Sequence, residues 1–196
     1  VYDGVCEATQ RIMNISIDNF DGGYQMGCHF RTLGHRSALC IADNEVGIDR
    51  ERMEGFCCGF APGRAERLLV PMHREARWLL YGHCLDRLRE MSAVFAVSDY
   101  YAIDLICFLR EQGVSVPEDI SVAGFDDTPM CEMVHPALTT VRQDGAQRAK
   151  IAMEKLRQLR KGGQVSPEIT LPVSLVIRGS TGVHHVDLHK KGNTSL

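Results

Sequence analysis

Ser98, Asp99, Asp126 and Asp127 are the residues of this 196-residue chain whose type and placement first suggest chemistry. Each pair follows directly on an apolar run, residues 93–97 and residues 120–125. In an open parallel sheet, polar side chains at the carboxyl ends of the strands face the ligand crevice. Asp126 comes straight off its run, where a carboxylate points into that crevice. Asp99 and Asp127 also have plainer readings, as a helix N-cap and a turn former. Asp126 and Asp127 make a poor catalytic carboxylate pair, because adjacent residues on a strand point to opposite faces.

The elements that must position these residues are legible around them. The run AVFAV, residues 93–97, is rich in Val and Phe and reads as a strand buried on both faces. Ser98 or Asp99 can accept from the first free N–H groups of a helix. Ile103, Ile106, Cys107 and Leu109 then recur at helical spacing. Gly113 stands where a helix C′ glycine belongs, with Pro117 beyond it. The second apolar run completes a β-α-β unit, whose strands are expected to be parallel and its crossover right-handed.

Composition sets the class. Hydrophobic residues make up 44% and charged residues 24%, with a net charge of −3, so no basic surface for nucleic acid is indicated. No run approaches the length that spans a bilayer. Residues 1–10 lack the basic start and apolar core of a signal peptide. The eight cysteines form no C-x-x-C pair, and several sit within apolar patterns. They read as reduced, buried thiols of a cytoplasmic protein, since a chain this large needs no disulfide framework. Cys57–Cys58 are adjacent, which suits one tetrahedral metal ion poorly, and the histidines show no ligand spacing on a common helix face. No metal or cofactor is expected.

Along the chain, residues 13–17 read as a strand, with Asn19 or Asp21 as cap of a helix over 22–33. Gly34 ends that helix, followed by the basic His35 and Arg36. Residues 38–42 form a buried strand, 50–60 a helix, and 67–72 a strand. Residues 75–91 form one long helix with Trp78, Leu79, Cys84, Leu85 and Leu88 on its apolar side. Residues 138–142 are extended. Residues 145–160 form a helix with Ala149, Ala152, Met153, Leu156 and Leu159 as its stripe. Residues 169–177 form a closing strand, where Pro172 argues for an edge or a bulge.

Five segments then carry a family resemblance. The strings DGGYQMGCHFRTLGHRSALCIA, RERMEGF, AVFAVSDYYAIDLICFLREQGVSVPEDISVAGFDDT, HPALTTVRQD and LPVSLVIRGST occur in the order found in the LacI/GalR regulators. The resemblance covers residues 15–181. It implies an α/β fold with a parallel doubly wound sheet of the periplasmic-binding-protein-like type. The chain would hold mainly the C-terminal subdomain, with fragments of the N-terminal one. Residues 1–17 would be the N-terminal remnant and 18–140 the C-terminal effector-binding subdomain. Residues 141–163 would be a crossover and a helix that normally packs on the missing subdomain. Residues 164–183 would form the closing strand and 184–196 a disordered tail.

The same resemblance implies a small-molecule effector of the sugar class, whose vicinal hydroxyls suit carboxylate and guanidinium partners. Arg52 matches the arginine before "GF" that reaches into the cleft, and Asp126 the acid of the "GFD" element. Ser98 stands where the family commonly has Asn, Gln143 at the third crossover, and Met72 near an aromatic stacking position. For three of these a plainer role stays open. Arg52 could pair with Glu51 or Glu54 on a solvated face, Met72 could be core, and Gln143 could satisfy backbone groups. The resemblance further implies a homodimer, no membrane, and DNA contact only through a headpiece absent from this chain. Two other classes compare less well. An exported ribose-type binding protein conflicts with the thiols and the absent signal. An enzyme on this fold lacks any G-x-G-x-x-G, Walker lysine loop or G-x-S-x-G elbow.

Overall fold

The computed structural model describes residues 13–166 and 168–184. Most of the expected N-terminal remnant and all but His184 of the expected tail lie outside them.

The centre is a four-stranded parallel sheet in the order β3-β2-β4-β5. Its strands are β2 (Ser37–Ala42), β3 (Arg64–Leu69), β4 (Ala93–Ala96) and β5 (Ser121–Ala123). Every residue of β4 and β5 is buried. Successive side chains point to opposite faces, so both faces of these strands are covered. Strand order reverses between β2 and β4, where an open α/β sheet leaves a crevice at its carboxyl end.

Helix α1 (Asn19–Thr32) opens on a cap that differs from the expected one. Asp18 accepts from the Asp21 amide at 2.8 Å. The cap lies just outside the first turn. Asn19 is already inside that turn and buried, with its side chain committed elsewhere. Helix α2 (Gly47–Phe60) lies against α1 and packs on the sheet by stacking Phe56 on Phe95, centroids 5.0 Å apart.

The expected long helix over 75–91 is two, α3 (Arg74–His83) and α4 (Leu85–Glu90), interrupted at Cys84. Its buried side also differs. Leu79 is 68% exposed, while Arg77 and Tyr81 are wholly buried. The reason is a charge pair: Arg77 Nε donates to Asp104 Oδ2 of α5 (Asp99–Glu111) at 2.6 Å. Trp78 and Tyr81 then meet Phe108 of α5.

The expected closing strand is split at Pro172, which has no N–H to donate. Strand β7 (Glu168–Leu171) pairs in parallel with β1 (Asn14–Ile17). Strand β8 (Ser174–Val176) pairs antiparallel with β6 (Thr140–Arg142). A short α6 (Met130–Met133) precedes β6, and α7 (Gly145–Arg160) follows it. On α7, Met153 and Leu156 are about half exposed.

Candidate functional site

Three chain segments leave the carboxyl ends of β2, β4 and β5 and meet at the reversal of strand order. They carry Asp43 and Asn44, Val97 and Ser98, and Phe125 and Asp126. The first two turns of α2 stand over them and supply Asp49 and Arg52. An open cleft of about 570 Å³ results, lined among others by Asn44, Asp49, Arg52, Asp126 and Gln143.

Arg52 organises this cleft. It turns inward and is only 7% exposed. Its Nε donates to Asn19 Oδ1 at 3.0 Å. Its Nη1 donates to the Val97 carbonyl oxygen at 2.7 Å and lies 3.4 Å from Asp126 Oδ1. The guanidinium also lies 3.8 Å above the centre of the Phe125 ring. A buried cation is tolerated only with such partners. The solvated pairing weighed for Arg52 is instead made by its neighbour, with Arg50 and Glu54 at 2.8 Å.

Asp126 is held in a sparsely populated backbone conformation, φ 123°. Positive φ at a residue other than glycine costs about 1–3 kcal/mol and clusters at ligand sites. Two contacts fix it. Its N–H donates to the Val141 carbonyl at 2.9 Å, and its Oδ1 accepts from Gln143 Nε2 at 2.8 Å. Gln143 Oε1 in turn accepts from Arg148 of α7 at 3.3 Å, and Arg148 donates to the Ile15 carbonyl of β1 at 3.1 Å.

Asp127 points away from the cleft, but both acids lie beyond β5 with positive φ, Asp127 at 59°, so the turn and not strand alternation sets its direction. It accepts from Arg142 at 2.5 Å and from Arg178 at 2.7 Å. Burial would raise its carboxyl, but these two hydrogen bonds hold it below the usual range. Asp99 does not cap α5. Ser98 occupies the cap position without a side-chain cap bond. Asp99 instead knits α5 to the start of β6 and to the loop after β5, accepting from Thr140 at 2.5 Å and from the Thr128 amide at 2.8 Å.

Thus Arg52, Asp126 and Gln143 converge on one cleft. Ser98 sits half-buried at the end of β4, beside the Val97 carbonyl that Arg52 uses. Met72 is 70% exposed between β3 and α3, outside the residues that line the cleft. Sequence reasoning passed over Asn44, Asp49 and Arg148 and took Asn19 only for a cap. The strand-end rule would have found Asn19 and Asn44 had it been applied to β1 and β2. Asp49 bonds to Asn44 Nδ2 at 2.9 Å. Burial, with the Asp43 and Asp126 carboxylates beside it, pushes Asp49 up to about 6, against the weaker pull of Arg52. Among the described residues no cluster of His, Cys, Asp or Glu is arranged to hold a metal ion.

A parallel sheet with a polar crevice at its switch point, accompanied by the two-stranded sheets β1-β7 and β6-β8, defines an α/β fold of the kind that binds small molecules at the carboxyl ends of its strands. Residues 28–181 match the family described as a periplasmic binding protein-like domain. The HTH-type transcriptional regulator DegA of Bacillus subtilis is 35% identical over 181 residues, 85% of this chain and 51% of DegA. A LacI-family regulator from Enterococcus faecium, solved with bound ribose, superposes with a TM-score of 0.75 at 30% identity, covering 88% of this chain and 66% of that one. A dimeric Lac repressor gives a TM-score of 0.78 at 27% identity, covering 87% and 64%. The chain belongs to the periplasmic-binding-protein-like domain family, in its LacI-type branch. It spans about half the length of the curated relatives it matches.

Proposed function

We propose that this chain is the effector-sensing portion of a LacI-type transcription regulator, and that its effector is a small molecule of the sugar class. The observation that carries this is the buried Arg52, fixed by Asn19, Val97 and Asp126 at the switch point of the sheet. Preorganised carboxylate, guanidinium and amide groups suit the directed hydroxyls of a polyol. Arg52, Asp126 and Gln143 contact the effector in this reading, with Ser98 beside them and Met72 as apolar contact at the rim. The bound ribose of the Enterococcus relative supports the ligand class.

The chain binds without turning its ligand over, so it is not an enzyme. Cleft closure shifts the balance between two arrangements of the regulator, and a headpiece outside this chain reads that shift on DNA. The protein works in the cytoplasm as a homodimer. Support for the compartment comes from seven described cysteines that are all free thiols. Support for the dimer comes from exposed Tyr100, Met130 and Met133, and from the likeness to a dimeric repressor.

Thermal unfolding with a panel of sugars and purines at millimolar concentration tests the reading. A ligand at a hundred times its Kd adds about 2.7 kcal/mol of stability. One sugar is expected to raise the transition, and Arg52→Ala or Asp126→Ala to abolish that rise. A response confined to purines would overturn the sugar class. A rise that both variants retain would overturn the site.

A further inference from the structure

Three histidines meet where the last described residues return to helix α1. Gly34 takes φ 88° and ends that helix, so the His35 amide donates back to the Phe30 carbonyl at 3.1 Å. The His35 ring then packs edge-on against Phe30 and is only 2% exposed. Residues 180–184 run past it as a strap along the outer edge of β5. The Ser180 carbonyl accepts from the Val122 amide at 2.8 Å, and the Gly182 amide donates to Ser121 Oγ at 3.1 Å. The strap ends with the His184 amide on the Leu33 carbonyl at 2.8 Å.

Each histidine ring contributes to this junction. His29 Nε2 lies 3.0 Å from Thr181 Oγ1. His35 Nε2 lies 3.1 Å from the Gly182 carbonyl oxygen. The His184 ring stacks on that of His35, centroids 5.3 Å apart. A carbonyl only accepts, so His35 Nε2 carries the proton and Nδ1 of the neutral ring is bare. That Nδ1 is buried, and among the described residues nothing hydrogen-bonds it. Charging the ring places a second N–H there with no acceptor, at the cost of desolvating it. Burial accordingly holds His35 down at about 4; the bond to the Gly182 carbonyl opposes this, and His184 and His29 add to the lowering. Burial lowers His29 as well. The charged groups that face His35, His29 from α1 and His184 from the strap, are both basic, as is Arg36 beside it, whose Nη1 donates to the His35 carbonyl at 2.8 Å.

We propose that residues 180–184 form a pH-sensitive latch on the edge of the sheet, closed while His35 is neutral and released when it is protonated. The strap covers His35 through Gly182 and the His184 ring, so its departure lets water reach the imidazolium. An exposed histidine titrates near 6.5. The released state therefore binds more protons than the latched one between that value and about 4, and acid favours release across this window. From about pH 8 to about pH 5 the ratio of released to latched chains rises by up to about 30-fold, and it is flat above the window. The strap also holds the segment that leads to Gln143. Ser180 Oγ accepts from the Thr139 amide at 2.8 Å, and the hydroxyls of Thr181 and Thr139 lie 3.0 Å apart. The proposal does not rest on the effector reading, because none of the three histidines lines the cleft.

The test is residue-resolved hydrogen exchange on the 196-residue chain at about pH 8 and about pH 5, corrected for the intrinsic rate of each amide. The Gly182 and His184 amides are expected to lose roughly 10- to 30-fold in protection at the lower pH. The Leu39 and Val94 amides, in the two central strands, are expected to keep theirs. His35→Gln retains an N–H donor for the Gly182 carbonyl but has no ring to charge, and should lose most of the difference. Proton NMR of the His35 ring in the wild-type chain decides the matter even where that variant folds poorly, since the ring should titrate well below a free histidine. Equal protection of Gly182 and His184 at both pH values, a wild-type difference kept in full by His35→Gln, or protection lost at Leu39 and Val94 to the same degree would each overturn the proposal. So would a His35 ring that titrates as a free histidine does.

Discussion

Replacing Gly23 by alanine sets a Cβ 2.1 Å from the carbonyl oxygen of Arg52 and 2.9 Å from the amide nitrogen of Phe56. Both obstacles are backbone atoms of α2, so no rotamer change can yield space. The reciprocal contact is as tight: a Cβ on Gly55 meets the Phe20 carbonyl oxygen at 2.0 Å. Such contacts relax only when α1 and α2 part by roughly 1 Å. Overpacking costs about 1–3 kcal/mol where side chains absorb the strain. Alanine returns about 1 kcal/mol of helix propensity. With backbone as the obstacle the upper end applies, which leaves a net loss of about 2 kcal/mol and a fall in Tm of about 4–8 °C. The displaced oxygen belongs to Arg52 itself, so the guanidinium must also shift against Val97 and Asn19. Urea unfolding and the ligand-induced thermal shift should therefore fall together in Gly23→Ala. Gly82→Ala is the control, since nothing lies within 4 Å of the added Cβ, and it should be neutral or slightly stabilising. If Gly23→Ala unfolds at the wild-type urea concentration and keeps the full ligand response, the close helix approach does not hold Arg52 in place.

Arg52→Lys keeps the charge but not the fork that reaches Asn19, Val97 and Asp126, so urea unfolding should show a loss of about 1–3 kcal/mol. Asp104→Ala leaves Arg77 buried without its carboxylate and should cost about 3–5 kcal/mol, whereas Arg77→Met with Asp104→Leu should recover most of that loss. A double variant as unstable as the single one would show that the pair contributes stability rather than merely satisfying itself. The Asp49 carboxyl, pushed up to about 6, holds its proton more tightly folded than unfolded. Its contribution to stability is therefore present below the ordinary carboxylate range, is lost as pH rises through about 6, and is flat above. The difference in urea midpoint between wild type and Asp49→Asn should change across that window and be constant above it.

The β-α-β unit around α5 was legible because its signals are local: two apolar runs, a helical stripe and Gly113, which takes φ 69°. The errors lie where distant residues decide. Arg77 reads as a surface residue in any periodic pattern, and it is Asp104 on another helix, with the Pro71 and Met72 carbonyls, that makes it core. Cys84 carries no breaker signal, yet the helix stops there. The Asp18 cap was missed because Asn19 and Asp21 are equally good cap types, and tertiary demand on Asn19 settles which residue is outside. At the site, Asp126 was legible from its place at the end of an apolar run, while Arg52 and Gln143 came from family motifs. Arg148 acts through the Ile15 carbonyl, far away in sequence, which no local spacing encodes, whereas Asn19 stands two residues beyond the end of β1, a local signal that was not applied there.

Those distant partners close a circuit. From the Ile15 carbonyl the hydrogen bonds run through Arg148, Gln143, Asp126, Arg52 and Asn19, and Asn19 Nδ2 returns to the Ile17 carbonyl at 3.3 Å. The circuit starts and ends on β1 and passes the cleft at Arg52, Asp126 and Gln143. A ligand that engages Asp126 therefore perturbs contacts to β1 in both directions around it. A ligand moves a conformational balance only through interactions that differ between the two states, and this circuit supplies a place where they can differ. Arg148 is not among the residues that line the cleft. Arg148→Met should nevertheless reduce the ligand-induced thermal shift. In a double-mutant cycle with Asp126→Asn it should show about 0.5–3 kcal/mol of coupling. Strict additivity of the two would mean that Gln143 transmits nothing, and that β1 is held independently of the site.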